Sequence, residues 1–187
     1  MTRIVFATAT TLDGYLADAE NSLDWLFVVE GGEEALADVE AFAAGVTVIV
    51  EGSTTYTWVV EHEDLVAHPE KWSGFYGGKK TYVFTSRPDE MPRIEGADVE
   101  FLSGAVADHI DTIRAAAGDG DIWVMGGGDL ATQFADAGHL DELQLSIAPV
   151  TLGGGAPLFT GRFESDRLTL VETKQAGQFV SATYKVG

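Results

Sequence analysis

The stretch Asp121-Ile-Trp-Val-Met-Gly-Gly-Gly-Asp-Leu130 decides the fold. Ile122 to Met125 is a short apolar run bounded by Asp121 and three glycines, the pattern of a buried strand. The segment after the glycines is amphipathic, with Leu130 and Phe134 four residues apart, and reads as a helix. A strand that passes through glycines into a helix lets the backbone approach an anionic ligand closely. The unpaired N–H groups of the first helical turn then point at the negative charge. Gly126, Gly127 and Gly128 are therefore expected to hold a phosphate or pyrophosphate, although taken alone they fit equally well a tight connection with no ligand.

The chain of 187 residues has no Pro/Ser-rich linker and no break in composition, so residues 1–187 read as one domain with a sizeable core. Eleven basic residues against thirty acidic ones give a formal net charge of −19. That balance repels nucleic acid and anionic membrane surfaces, and neither is expected as a partner. A phosphate site in such a chain must concentrate its cations and N–H groups locally, which draws attention to Arg87. The absence of cysteine excludes disulfides, thiolate nucleophiles and cysteine-ligated metals. His62 and His68 have no third ligand at a recognisable spacing, so no metal is expected. No apolar run is long enough to span a bilayer and no signal peptide is recognised, which predicts a cytoplasmic location.

Outward from the glycine stretch, Arg3 to Thr10 reads as a first buried strand, broken by the turn signal Thr11-Leu12-Asp13-Gly14-Tyr15 and continued as a loop to Trp25. Leu36, Val39, Phe42 and Ala43 recur at helical spacing and predict an amphipathic helix over 33–43. Val46 to Val50 is a second strand, and Gly52-Ser53-Thr54-Thr55-Tyr56 at its end is a second strand-glycine-helix junction. Its hydroxyls either cap the helix or serve a second phosphate. Residues 58–78 lack a clean period and read as a surface excursion with a short helix. Thr81 to Thr85 is a third strand that leaves Arg87 at its carboxyl end, and Val99 to Leu102 is a fourth. A helix through Val106, Ile110, Ile113 and Ala117 leads back to Asp121. Leu143 to Ile147 is a further strand, a second triplet stands at Gly153 to Gly155, and Leu168–Thr173 with Phe179–Val186 form a hairpin. This order predicts an α/β fold with a mostly parallel mixed sheet, flanked by helices and finished by an antiparallel C-terminal hairpin. Ligands of such sheets bind beyond the carboxyl ends of the strands, where the Thr11 loop, Gly52, Arg87 and Gly126 all fall, and that agreement favours the phosphate reading.

Five motifs in order carry a resemblance: Thr11-Leu12-Asp13-Gly14-Tyr15, the strand into Gly52-Ser53-Thr54-Thr55-Tyr56, Tyr82-Val83-Phe84-Thr85-Ser86, Val124-Met125-Gly126-Gly127-Gly128, and Ala148-Pro149-Val150-Thr151-Leu152-Gly153-Gly154-Gly155. Over nearly its whole length the chain resembles the dihydrofolate-reductase-like superfamily, most of all the C-terminal reductase domain of the bacterial riboflavin-biosynthesis deaminase/reductase. The resemblance implies an NADPH-dependent reductase that forms a homodimer. It also implies that Gly126, Gly127, Gly128, Asp129 and Leu130 hold the cofactor pyrophosphate. Gly52, Ser53, Thr54 and Thr55 would flank its phosphates, Ser86 and Arg87 would lie near the adenosine 2′-phosphate, and the Gly126–Gly127 peptide would be cis.

The function expected on this basis is hydride transfer from NADPH to a polarised C=N or C=O of a small heterocyclic metabolite. The first substrate expectation is 5-amino-6-(5-phosphoribosylamino)uracil. Asp13, then Asp24, are the candidates for orienting the substrate, and Tyr15 and Trp25 for stacking on its ring. Two departures stand out. Family members usually carry arginine where this chain has Ser53, which weakens NADPH preference and leaves NADH open. Leu36 falls where folate reductases place a helical carboxylate, which disfavours a dihydrofolate or pterin reductase. A non-catalytic nucleotide- or flavin-binding dimer is the alternative of a different class.

Overall fold

In the computed structural model, which describes residues 2–187, one sheet draws its strands from both ends of the chain. The elements in order are β1 (Ile4–Thr11), β2 (Tyr15–Ala17), α1 (Asp24–Phe27), α2 (Gly32–Ala43), β3 (Val46–Gly52), α3 (Ser53–His62), α4 (Trp72–Tyr76), β4 (Lys80–Phe84), β5 (Val99–Leu102), α5 (Ile110–Ala117), β6 (Asp121–Gly126), α6 (Gly128–Asp136), β7 (Glu142–Ala148), β8 (Ala156–Pro157), β9 (Leu168–Ala176) and β10 (Phe179–Val186). The sheet order is β5-β4-β3-β6-β1-β7-β10-β9. The first six strands run parallel, and β10 and β9 complete the sheet antiparallel, as the hairpin pattern predicts.

The middle strands are apolar on both faces because helices cover both. Val48 and Val50 of β3 pack into one core with Ile113 of α5 and Phe134 of α6, while Ile49 between them packs with Val59 of α3 and Trp72 of α4 on the other side. Cover runs out toward the hairpin. Strand β9 buries only Ala176 and leaves Leu170 and Val171 exposed. Helix α2 forms as its periodicity predicts, yet Leu36 on its apolar stripe is 55% exposed. The helix leans on the hairpin end of the sheet, buried through Ala35 and tied by Asp38 to Lys174 at 2.6 Å, so its stripe is only partly covered.

The expectation of a surface excursion over 58–78 is corrected. Trp72 and Tyr76 are buried with Tyr56 and Leu65, the Trp72 and Tyr76 rings stack at 3.9 Å, and the Tyr56 hydroxyl donates to the Pro92 carbonyl at 2.7 Å. Tyr56 comes from α3, Leu65 from the turn that follows it, and Trp72 and Tyr76 from the five-residue α4, so no single period links them.

Glu51, at the end of β3, points into this aromatic cluster and is fully buried. Its Oε1 accepts the Tyr76 hydroxyl at 2.9 Å and its Oε2 has no partner. Burial pushes its carboxyl up to about 8, with the Tyr76 hydrogen bond pulling the other way, so it holds its proton at neutral pH. The folded chain thus keeps a proton that the unfolded chain releases above its ordinary value of 4.5. Glu51's contribution to stability is fully present below that value and is lost as pH rises through about 8. Glu51→Gln retains an acceptor for Tyr76 and cannot ionise. It is expected to melt above the wild type at pH 8 and much closer to it at pH 5. Thermal melts at the two pH values check this, and parallel pH dependence in both proteins would refute it.

Candidate active site

The two glycine junctions lie side by side at the carboxyl edge of the sheet. Parallel pairing puts Glu51 of β3 opposite Gly126 of β6 and Gly52 opposite Phe84 of β4. A Cβ on Gly52 would stand 3.9 Å from both the Gly126 oxygen and the Gly127 nitrogen. From these adjacent turns start α3, with Gly52 as its N-cap, and α6, with Gly127 as its N-cap; both caps are extended and neither helix start receives a side-chain cap. Ser53 and Thr54 are therefore helical residues of the first turn and do not cap it. The uncapped N–H groups of two helix starts, together with the positive ends of two helix dipoles, converge on one groove. The Gly126–Gly127 peptide is cis, as the resemblance implies.

The three glycines have different surroundings. A Cβ on Gly126 would stand 2.7 Å from the Thr55 hydroxyl, and one on Gly128 would run into the carbonyl groups of Pro157 and Leu158. A Cβ on Gly127, in contrast, would meet nothing, although Gly127 lines the groove. Backbone that is bare on its open side and flanked by uncapped N–H groups is a cradle that fits a pyrophosphate.

The groove has two connected parts. One, of about 420 Å³, is bounded by Gly52 to Thr55 and Gly127 to Leu130, with Leu16, Ala17, Leu23, Trp58 and Phe84 as apolar walls. The other, of about 630 Å³, shares Asn21, Ser53, Thr54 and Trp58 with the first and extends to Thr85, Ser86 and Arg87. Gly52, Ser53, Thr54, Thr55, Ser86, Arg87, Gly127, Gly128, Asp129 and Leu130 are thus brought to one groove, with Gly126 buried behind them.

Among the described residues that line it, Arg87 is the only cation, set against Glu20, Glu61, Glu90 and Asp129. The Arg87 guanidinium pairs with Glu90 at 3.2 Å, both largely exposed. Asp129, in the first turn of α6, is held in place by Gln133 Nε2 at 2.7 Å and the Thr160 hydroxyl at 3.1 Å. Among the described residues, no group of three or more His, Asp or Glu side chains could hold a metal ion, and no helix is long and apolar enough to cross a membrane.

Asp13, Tyr15, Asp24 and Trp25 do not line the groove. Asp13 is exposed, and its carboxylate is bound by the chain itself. Its Oδ1 accepts the Thr11 hydroxyl at 2.6 Å, and its Oδ2 accepts the N–H groups of Leu152 at 3.1 Å and Gly153 at 2.8 Å. The bond from Thr11 and those from the 152–153 backbone hold this carboxyl below its ordinary range. The stacking role expected of Trp25 is corrected by burial, since its ring packs with Ala148, Ala176 and Phe179. Asp24 is an exposed residue that opens α1, and Tyr15 pairs with Pro157 across the short β2–β8 ladder. The second triplet belongs to this brace. Gly155, at φ +128°, packs so closely on the backbone of Ala17 and Asp18 that no Cβ fits. Sequence reasoning missed Trp58, one helical turn beyond Thr54 on the same face of α3; its spacing was the available signal. Leu16, Leu23 and Phe84 gave none.

Residues 67–181 match the RibD C-terminal domain. The chain is 31% identical over 183 residues to the uncharacterized protein YwjB of Bacillus subtilis (strain 168), covering 97% of each. Among solved structures it is similar to a Shewanella sp. PV-4 protein provisionally assigned to riboflavin biosynthesis, at 26% identity and a TM-score of 0.77, with 100% of this chain and 99% of that one covered. It is also similar to dihydrofolate reductase from Enterococcus faecalis complexed with NADP(H), at 17% identity and a TM-score of 0.60, covering 99% and 96%, and the fold is dihydrofolate-reductase-like. With the domain match spanning more than half of its length, and a relative of this kind aligned along nearly all of it, the chain belongs to the RibD C-terminal domain family.

Proposed function

We propose that this protein is a reductase that uses NADPH, or NADH in its place, to reduce a small heterocyclic metabolite of the kind handled in riboflavin biosynthesis. The observation that carries the reading is the convergence of two uncapped helix starts on one glycine-walled groove. Family membership and the NADP(H) complex of a protein with the same fold support it. A cytoplasmic setting, where nicotinamide cofactors are available, belongs to the same proposal.

Gly52 to Thr55 and Gly127 to Leu130 would hold the pyrophosphate, with the adenosine end toward Ser86 and Arg87. The nicotinamide end then lies against Leu16, Ala17 and Leu23, where apolar walls exclude water. The bound dinucleotide would supply a hydride from nicotinamide C4 to the carbon of a C=N or C=O, whose electron pair moves to nitrogen or oxygen and takes up a proton. The chain's own contribution is to hold donor and acceptor in contact.

The homodimer is proposed from the hairpin. A nine-residue edge strand exposed along most of its length, with Leu170, Val171 and Val180 each more than half exposed, needs a cover that a second copy related by a two-fold axis supplies.

Two measurements test this reading. Arg87→Ala is expected to weaken NADPH about tenfold and to leave NADH nearly unchanged, since a charge-assisted contact at an exposed arginine is worth about that much. Glu90→Gln, which frees the guanidinium, is expected to tighten NADPH. Fluorescence titration of both cofactors checks this, and equal losses for the two would assign Arg87 to the shared part of the dinucleotide or to the fold. Light scattering at micromolar concentration is expected to report a dimer for the wild type and a monomer for Val171→Lys/Val180→Lys. A monomeric wild type would refute the edge-strand assembly.

A further inference from the structure

Glu51 occupies the place where β3 meets the cradle. It pairs with Gly126 of β6 on one side and with Val83 of β4 on the other, and the residue after it, Gly52, is the N-cap of α3. Its side chain turns away from the groove into the aromatic cluster beneath α3 and α4, where it is fully buried. The first turn of α3 therefore has two sides. Ser53 and Thr54 line the groove, while Tyr56 is fully buried in the cluster that receives Glu51.

Few polar groups face it there. From α4 comes Tyr76, whose hydroxyl donates to Oε1 at 2.9 Å, and from α3 comes Tyr56, whose hydroxyl donates to the Pro92 carbonyl at 2.7 Å. The paired strands contribute Val83 and Gly126, which carry no charge. Arg93, with its guanidinium 5.3 Å from the ring of Phe101, is the cation whose charge reaches Tyr56. Burial, then the neighbouring Glu51, pushes the Tyr56 phenol up to about 12 and the Tyr76 phenol higher still, so neither titrates in the range where Glu51 does. Oε2 of Glu51 has no partner. A negative charge on this carboxyl would be met by the Tyr76 hydrogen bond, in surroundings that screen it poorly. It would draw on the same N–H groups and helix-dipole end that hold an anion in the groove, and it would repel that anion.

We infer that Glu51 is a positioning residue of the cradle that acts through its proton: while the carboxyl is neutral the two helix starts hold a dinucleotide pyrophosphate at full strength, and release of the proton weakens that hold. The inference rests on the reading of the groove as a dinucleotide site. Burial sets the release at about 8, with the Tyr76 hydrogen bond pulling it down. By linkage the effect runs both ways, so a bound dinucleotide holds the proton on Glu51 more tightly and its binding draws protons from solution. His62, stacked on Trp58 at 4.4 Å, and His109, edge-on to Phe84 at 5.7 Å, stand beside walls of the groove. Both are unchanged in a Glu51→Gln protein, so comparison with it isolates Glu51.

Fluorescence titration of the full chain with NADPH and with NADH across pH 6.5 to 9.5, in wild type and Glu51→Gln, tests this, with circular dichroism restricting the comparison to folded protein. Wild-type affinity is expected to fall at least about fivefold further than that of Glu51→Gln toward the alkaline end, for both cofactors. Tyr76→Phe removes the hydrogen bond that pulls the Glu51 carboxyl down, so its fall is expected to begin at higher pH. Calorimetry at pH 8 in buffers of different ionisation enthalpy is expected to show that wild type takes up more protons per cofactor bound than Glu51→Gln. This proton count still decides the matter if the wild type loses its fold toward the alkaline end, and a purely structural Glu51 would not move it. Equal pH dependence in wild type and Glu51→Gln, equal proton uptake, or an earlier fall in Tyr76→Phe would each overturn the inference and leave the reductase reading standing. Failure of both cofactors to bind either protein at any pH would overturn the two together.

Discussion

The parallel register of β3 against β6 is the constraint on which the rest of the groove depends. With Glu51 opposite Gly126, the two strands end at the same level and both pass straight into helices, so the starts of α3 and α6 are neighbours. A shift by one residue would turn Val48 and Val50 away from their core and would part the two glycine turns. Burial on both faces of β3 therefore sets where the two helix starts meet at the groove.

Glycines at this edge serve two purposes that composition does not separate. Gly127 keeps the groove open, whereas Gly128 and Gly155 let backbone pack on backbone, against Pro157 and Leu158 in one case and Ala17 and Asp18 in the other. The second purpose joins the loop after β1 to the segment after β7, and the Asp13 carboxylate secures the same join through Leu152 and Gly153. The loop residues Leu16, Ala17 and Leu23 consequently form a fixed wall of the groove. The Asp13 carboxylate thereby helps to set the geometry of the apolar end.

Electrostatics distinguishes the two ends of the site. At the Arg87 end one exposed guanidinium competes with Glu90, and at the other end Leu16, Ala17 and Leu23 form an uncharged apolar wall. Glu51, just behind the cradle, adds no negative charge at neutral pH because burial keeps it protonated. A buried carboxylate there would oppose the helix starts that the groove depends on.

By itself the sequence determined the order and kind of the main elements, the parallel sheet with its hairpin edge, and the two glycine junctions. These are local properties, since alternation, helical spacing and glycine's freedom are written in adjacent residues. It also carried enough of the motif order to point to the right family. What only the tertiary structure decided is which side chains meet. Asp13 finds its partners at Leu152 and Gly153, Trp25 is covered by Phe179, Glu51 by Tyr76, and the ring of Trp72 stacks in a core where the sequence suggested surface. Likewise, Leu36 keeps its helical spacing but loses its cover, because α2 rests at the uncovered end of the sheet. Burial, pairing and the sign of a cavity belong to residues far apart in the chain, and they exist only once the strands have taken their register.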